Sequence, residues 1–229
     1  SANLRRNIET VSNDQAQAFL KRYDGQAVAS SFRSVWLPAV ARRQDWSTLL
    51  ANWAPTENVG LRCAQLSARQ ATGKADAQWT REAQDLWRKA GKSLPDGCDA
   101  VFAVLQAQGG LTDALRWERV DAAADAQQPA VMRSAARGLP PADLAQANDY
   151  AAFVDAPNAK ALNWPRTERS RRIATDGLEK LAKANPDATE QQLPQYAQAL
   201  GLSAEQQAQV RYQIALWTVA SYLPDSARR

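Results

Sequence analysis

The sequence has 229 residues, of which 45% are hydrophobic and 23% are charged, a composition typical of a folded globular protein. Its formal net charge of +4 is too small to indicate a nucleic-acid-binding arm. Histidine is absent, which excludes Ser-His-Asp and Cys-His catalysis and any His-ligated zinc site. The longest uncharged, apolar-rich stretch, residues 212–224, is too short and too polar to cross a bilayer. We therefore expect no metal, no nucleic-acid partner and no membrane span.

The first quarter of the chain predicts three helices, over residues 12–23, 26–43 and 46–53, each with apolar residues at helical spacing. Pro38 lies inside the second of these helices and should kink or divide it, because proline removes a backbone donor. Asp45 immediately precedes the third helix and is a typical N-cap residue.

The next stretch, residues 62–104, holds both cysteines of the chain, Cys63 and Cys98, on two predicted helices. Between them lies a helix with a strong apolar face, formed by Trp79, Ala83, Leu86, Trp87 and Ala90. A bond between the cysteines would clip the outer helices around the middle one. The residues alone leave two interpretations open: a disulfide, or two buried and inert thiols.

Beyond Gly109 and Gly110 the pattern remains helical. We expect helices over residues 112–125, 129–137, 142–155, 167–184, about 187–200 and about 203–223, with a brief helical turn over residues 157–164. In the first of these helices, the side chains expected to face the core are Ala114, Trp117, Val120 and Ala124. Asp187 and Glu190 read as a capping box for the helix that ends near residue 200, and Pro194 should disturb that helix.

The last predicted helix is apolar on two faces. One face carries Val210, Ile214 and Trp217, and the other carries Tyr212, Leu216 and Val219. A helix of this kind needs neighbours on both sides. We therefore expect one of the two faces to be exposed, and we interpret the chain as truncated at one or both ends.

No segment shows the alternating pattern of a strand, so the fold class predicted is all-α. About a dozen helices joined by short turns favour an irregular α-solenoid, a superhelix of stacked antiparallel helix pairs. No fixed repeat period is present, which argues against tetratricopeptide or ankyrin repeats. We expect residues 1–229 to form one superhelical domain segment.

The spacing of turn and apolar residues in the cysteine stretch resembles that of a known family. The positions concerned are Cys63, Gly73, Trp79, the run Asp85-Leu86-Trp87, the run Gly91-Lys92-Ser93, Pro95 and Cys98-Asp99, together with residues 41–50 upstream. This pattern is similar to the N-terminal superhelical U-domain of the soluble lytic murein transglycosylases of Gram-negative bacteria. The resemblance is dense over residues 34–120 and rests on turn and apolar positions rather than on a catalytic signature.

The resemblance implies a disulfide between Cys63 and Cys98. It implies a parent enzyme that cleaves the β-1,4 bond between N-acetylmuramic acid and N-acetylglucosamine, with a 1,6-anhydro product and no cofactor, in cell-wall turnover. It also implies a periplasmic location, with a signal peptide upstream of residue 1. The implied partners are peptidoglycan and the L- and C-terminal catalytic domains of the same chain.

The resemblance implies that the parent enzyme has a single catalytic glutamate, followed directly by serine, on its C-terminal domain. None of the glutamates here is followed by serine: Glu9, Glu57, Glu82, Glu118, Glu168, Glu179, Glu190 and Glu205. We expect no catalytic residue in this segment, and no carboxylate on an apolar face where burial would raise its pKa.

Two sets of side chains are candidates for contact with peptidoglycan or with another domain. Trp46, Trp53 and Trp164 lie near helix ends and could stack on sugar rings, although packing in the core or in turns is the alternative. The densest basic cluster comprises Arg166, Arg169, Arg171 and Arg172 at the start of a helix, where positive charge opposes the helix dipole. These arginines could meet peptide-stem carboxylates or an acidic domain surface, or simply form a solvated face.

We therefore interpret the chain as the scaffold and peptidoglycan-facing part of a lytic transglycosylase. The alternative is a non-enzymatic helical-repeat adaptor that binds another protein. The fold by itself does not decide between them, because α-solenoids serve many functions.

Overall fold

The structure is a computed structural model that describes residue 8 and residues 10–222. This part of the chain contains twelve α-helices, two short 3-10 helices and no strand, which confirms the all-α prediction. The α-helices are α1 Asn13–Arg22, α2 Ala27–Arg42, α3 Trp46–Ala51, α4 Val59–Ala71, α5 Ala77–Arg88, α6 Asp99–Ala107, α7 Asp113–Asp125, α8 Pro129–Ala136, α9 Pro141–Asp155, α10 Glu168–Ala184, α11 Pro186–Leu200 and α12 Ala204–Tyr222. The 3-10 helices are Asp96–Cys98 and Ala159–Asn163. Of the helices described, none has the length and apolar character needed to cross a membrane.

The chain divides into two compact units. Unit 1 comprises Ser1–Trp87 and Leu94–Leu111, and unit 2 comprises Arg88–Ser93 and Thr112–Arg229. The expectation of one domain over residues 1–229 stays a prediction.

Local sequence signals explain most helix starts. Asp45 accepts a hydrogen bond from the backbone N–H of Thr48 and caps α3, as predicted. The capping box proposed for α11 is wrong, because the helix starts one residue before Asp187. Asn185 is its N-cap and Pro186 its first residue, where proline loses no helical hydrogen bond.

Two prolines lie inside helices without ending them. Helix α2 runs through Pro38 as one helix, so the division that this residue suggested does not occur. Its buried face includes Trp36, Leu37 and Val40, on both sides of the proline. Helix α11 likewise continues through Pro194. Tertiary packing around these positions outweighs the local cost of a missing backbone donor.

The core of unit 1 is built on aromatic side chains from α1 and α2. The ring centroids of Phe19 and Phe32 are 4.8 Å apart, and those of Phe32 and Trp36 are 5.9 Å apart. Apolar residues of α3 and α4 complete this core, among them Leu49, Leu61 and Ala68. It supports the ends of α2, α3 and α4, which border the groove described below.

In unit 2 the predicted inward face of α7 is partly wrong. Ala114 is exposed and Trp117 only half-buried, whereas Arg116 and Arg119 are buried. The guanidinium group of Arg116 donates to the carbonyl oxygen of Arg137, and Arg119 Nε donates to the carbonyl oxygen of Ala90 at 3.2 Å. Backbone acceptors therefore allow two charged side chains to take core positions.

Helix α12 has one buried and one exposed apolar face. Val210 and Ile214 are buried, whereas Tyr212, Leu216 and Val219 are 65%, 46% and 60% exposed. The predicted exposure of one face is therefore confirmed. The predicted helix end near residue 223 lies outside the described residues.

Candidate functional site

A surface groove lies in unit 1 where the end of α2 approaches α4 and α6. Its volume is about 410 Å³, within the size range of ligand-binding clefts. We call it the Trp46 groove and define it by Arg42, Gln44, Trp46, Ser67, Gln70 and Val104. The lining combines two indoles, those of Trp46 and the buried Trp79, and several small apolar side chains with amide, hydroxyl and guanidinium groups. Such a mixture suits a ligand with both apolar faces and hydrogen-bonding groups.

Trp46 is the more accessible of the two aromatic residues in this groove. It is the first residue of α3, directly after the N-cap Asp45, and it is half-buried against the core of unit 1. Trp53 is also half-buried against that core but does not line the groove. Of the three candidate tryptophans, Trp46 therefore has the setting most suited to stacking on a ligand.

Trp164 has a different environment. It is only 6% exposed and lies in unit 2, where its ring centroid is 4.6 Å from that of Tyr150 and 5.1 Å from that of Phe153. Both contacts are edge-to-face, a favourable geometry for aromatic pairs. The low exposure and the two ring contacts favour the packing alternative for Trp164, and a role in sugar stacking stays a prediction.

A disulfide fixes the walls of the Trp46 groove. Cys63 in α4 and Cys98 at the start of α6 are bonded, with their Cα atoms 5.0 Å apart, and both are fully buried. Between them in sequence, the indole Nε1 of Trp79 donates to the carbonyl oxygen of Leu66 at 2.8 Å. The bond and this buried hydrogen bond hold α5 and α6 against α4. Of the two interpretations of the cysteines, the disulfide is confirmed.

The arginine cluster is engaged within unit 2. Arg169 donates from Nε and Nη2 to the two carboxylate oxygens of Asp121, at 2.8 and 3.2 Å. Arg172 Nη2 lies 3.0 Å from the same carboxylate, and its Nε lies 3.4 Å from that of Asp125. These pairs join α10 to α7. The charges therefore neutralise acidic residues of the neighbouring helix.

The other two arginines of the cluster bind local groups. Arg166 donates to the carbonyl oxygens of Ala199 and Gln198, at the carboxyl end of α11, where unpaired carbonyls favour a cation. Arg171 donates to the carboxylate of Glu168 and to the carbonyl oxygen of Arg166. Each of the four arginines therefore already has partners within the protein. A role of these arginines in contact with peptidoglycan or another domain stays a prediction.

Sequence reasoning missed one unusual carboxylate. Burial raises the pKa of Asp176 in α10 to about 7, with a further contribution from the neighbouring charges of Asp125 and Glu179, while Arg172 acts in the opposite direction. The expectation that no carboxylate here would have a pKa raised by burial is therefore wrong. Gly177, which follows it, was the available signal, because a glycine inside a helix often marks a close approach of two elements.

Burial also raises the pKa of Glu179, one turn along the same helix. Glu9 lies outside the described residues. In the part of the chain that the structure covers, no three Cys, Asp or Glu side chains are arranged to hold a metal ion.

Comparison with curated proteins finds relatives among the soluble lytic murein transglycosylases. The chain is 28% identical over 195 residues to the protein of that name from Salmonella typhimurium, a match that covers 82% of this chain and 30% of that protein. It is 27% identical over 189 residues to that from Escherichia coli strain K12, covering 80% of this chain and 29% of that protein. The chain thus spans less than a third of the length of these relatives. No family model matches the sequence.

Solved structures give the same result for the fold. The 70-kDa soluble lytic transglycosylase from Escherichia coli superposes with a TM-score of 0.79 at 22% identity, covering 98% of this chain and 37% of that one. An inactive mutant of lytic transglycosylase Slt from Pseudomonas aeruginosa gives a TM-score of 0.64 at 24% identity, covering 94% and 35%. The irregular α-solenoid predicted from the sequence is confirmed by these similarities.

Proposed function

The chain is homologous to part of the soluble lytic murein transglycosylases, and we propose that it is a non-catalytic, glycan-facing scaffold segment of such an enzyme. The observation that carries this proposal is the extent of the match, which takes in 82% of this chain but only 30% of the relative from Salmonella typhimurium. The parent protein would cleave the bond between N-acetylmuramic acid and N-acetylglucosamine and leave a 1,6-anhydro end. This segment would position the glycan strand and the catalytic part of the enzyme.

The disulfide supports a periplasmic location, because such bonds form and persist in oxidising compartments. The proposed partners are therefore peptidoglycan and the remaining domains of the parent chain. A scaffold of this kind contributes to the rate through binding energy, since it holds a polymer strand near groups that act on it.

The proposal is tested with the purified chain and isolated sacculi. We expect the chain to co-sediment with sacculi and to release no 1,6-anhydro muropeptides, which mass spectrometry detects with high sensitivity. Co-sedimentation should weaken with added salt if charged surface groups contribute to binding.

Release of 1,6-anhydro muropeptides by this chain would place the catalytic group within it and contradict the scaffold assignment. Asp176→Asn and Glu179→Gln are the variants to compare in that event, because their carboxyl groups have raised pKa values and are the best candidates for a general acid. Failure of the chain to bind sacculi would contradict the glycan-facing part of the proposal.

One observation favours the alternative, a helical-repeat adaptor. The exposed face of α12, formed by Tyr212, Leu216 and Val219, is an apolar patch of the type that proteins use for contact with other proteins. The gene sequence separates the two functions. A reading frame that continues beyond Arg229 into a region with glutamate followed by serine supports the enzyme, and a stop codon directly after Arg229 supports the adaptor.

A further inference from the structure

Two residues other than glycine adopt a left-handed backbone conformation in the part of the chain that the structure describes. They are Gln44 and Gln127, both with φ of 56°. Five glycines in the described residues also have a positive φ, at positions 25, 73, 109, 138 and 201. Glycine is the residue that this conformation favours, because it has no Cβ to collide with the backbone.

Both glutamines end a helix in the same way. After α2, the N–H of Gln44 bonds the carbonyl oxygen of Ala41 and the N–H of Asp45 bonds that of Val40. After α7, the N–H of Gln127 bonds the carbonyl oxygen of Ala124, and the N–H of Gln128 bonds that of Ala123. This is the Schellman arrangement, whose left-handed position is most often glycine. A glutamine at either position therefore needs a reason in its side chain.

The side chain of Gln127 has such a reason. Its Nε2 donates to the carbonyl oxygen of Asp176 at 3.4 Å and so ties the end of α7 to α10. The carboxamide of Gln44 makes no such bond to any residue that the structure describes. It lies instead on the rim of the Trp46 groove. The left-handed backbone at Gln44 is strained, and the side-chain amide that it carries lines the groove instead of forming a hydrogen bond within the described part of the fold.

Two other polar side chains of the groove, those of Ser67 and Gln70, also have hydrogen-bonding groups that the described residues do not use. Ser67 and Gln70 form no side-chain hydrogen bond with the residues described, and Gln70 is exposed. Two carboxamides and a hydroxyl thus stand beside the indole of Trp46 and the small apolar side chains of Ala71 and Ala100. Carboxamides can donate and accept at once, which matches an acetamide group, and alanine side chains suit its methyl group.

We propose that the Trp46 groove binds an N-acetylated pyranose of a glycan strand, with Trp46 as a stacking surface and Gln44 and Gln70 as hydrogen-bonding groups. The apolar face of a sugar ring packs on an indole, and the acetamide group bonds the two carboxamides. The identification of the ligand as a glycan strand rests on the proposed function, whereas the description of the groove and its amide side chains is independent of it. The groove is partly open to solvent, so a bound sugar could be one unit of a longer polymer.

The test uses tetra-N-acetylchitotetraose as a soluble probe and cellotetraose, which has the same β-1,4 linkage but lacks acetamide groups, as the matched control sugar. Titration of the ¹⁵N-labelled chain, followed by NMR, reports the indole N–H of Trp46 and gives a dissociation constant. We expect saturable binding of the chitotetraose, with the largest shifts at residues of the groove, and binding of cellotetraose at least about fivefold weaker.

The decisive variant is Gln44→Gly. It relieves the left-handed strain, so it should fold at least as well as the original chain, yet weaken chitotetraose binding about fivefold. Trp46→Ala should weaken it by a similar factor. Gln127→Gly makes the same backbone change in unit 2 and should leave the dissociation constant within about twofold. Equal binding by Gln44→Gly and the original chain, or equal binding of the two sugars, overturns the inference.

Binding to sacculi, measured beside binding to chitotetraose, distinguishes failure of this inference from failure of the proposed function. If the chain binds sacculi and Gln44→Gly binds them equally well, the groove assignment fails and the scaffold function stands. If the chain binds chitotetraose in the groove but not sacculi, the scaffold function fails and the groove assignment stands. If the chain binds neither the soluble sugar nor sacculi, both are wrong.

Discussion

The guanidinium group of Arg169 lies over the ring of Trp117, 4.4 Å from its centroid, while it donates two hydrogen bonds to Asp121. One side chain of α10 thus forms a cation–π contact and a bidentate ion pair with α7. The two contacts fix the same planar group, so neither costs additional side-chain ordering once the other is made.

Replacement of Arg169 by alanine should therefore lower the free energy of unfolding by about 1–2 kcal/mol. Arg169→Lys should lose most of the same energy, because an ammonium group cannot bond both carboxylate oxygens in a fork. Urea denaturation followed by circular dichroism measures the change. Arg133→Ala is the control, since its pair with Asp155 is exposed and single, and it should cost less than about 0.5 kcal/mol. Equal effects of the two alanine variants would contradict this account.

Asp176 should make stability depend on pH. Its pKa rises from 3.8 to about 7 on folding, so the folded chain holds this proton more tightly than the unfolded chain. The free energy of unfolding should therefore fall by about 2–4 kcal/mol as the pH rises from near 4 to near 7, and then level off. Denaturation at a series of pH values measures this slope.

Asp176→Asn should remove most of that slope, because the amide stays neutral throughout the range. The charges of Asp125 on α7 and of Glu179 and Arg172 on α10 lie near the carboxyl group and influence its pKa. Asp24→Asn, at an exposed position in unit 1, is the matched control and should leave the slope unchanged. A slope that persists in Asp176→Asn would show that another group carries the pH dependence.

The disulfide should contribute strongly to the stability of unit 1. Cys63 and Cys98 are separated by 35 positions, and closure of a loop of this length stabilises the folded state by roughly 3–4 kcal/mol on the chain-entropy argument. Denaturation with and without a reductant measures the difference, with the double variant Cys63→Ala and Cys98→Ala as a second comparison. Intact mass after alkylation without reductant should show no added label, and labelling of both thiols would contradict the bond.

A side chain at Gly177 should destabilise the fold. A Cβ at this position would lie 2.7 Å from Cδ1 and 2.9 Å from Cε1 of the Phe153 ring. Gly177→Ala should therefore lower the free energy of unfolding by about 1–3 kcal/mol, although alanine is the better helix former. Gly97→Ala is the matched control, because a Cβ there meets nothing within 4 Å. A Gly177→Ala variant as stable as the original chain would show that α9 and α10 can separate at no cost.

Much of the fold was predictable because its signals are local. The stripe of Trp79, Ala83, Leu86 and Trp87 is buried in α5 as its spacing predicts, and Asp45 caps α3. Failures occurred where tertiary packing overrides local preference. Pro38 lies inside an unbroken helix, and Arg119 is buried because Ala90, distant in sequence, offers its carbonyl oxygen.

The groove was less predictable than the fold. Trp46 could be chosen as a candidate because a large aromatic residue stands at a helix start. Gln44 could not, because a left-handed φ at a residue other than glycine has no sequence signature. Asp176 was missed because its burial depends on how α10 packs beside Asp125 of α7, and the neighbouring Gly177 signalled a close approach of helices without identifying the carboxylate.

The bond between Cys63 and Cys98 also determines what a single backbone cut would do. The turn after α4, which includes Gly73 and Lys74, is exposed and lies within the loop that the bond closes. A protease that cuts after Lys74 would leave one covalent molecule whose two pieces separate on a gel only after reduction. Nicking at this turn would change the connectivity of unit 1 without releasing either wall of the groove.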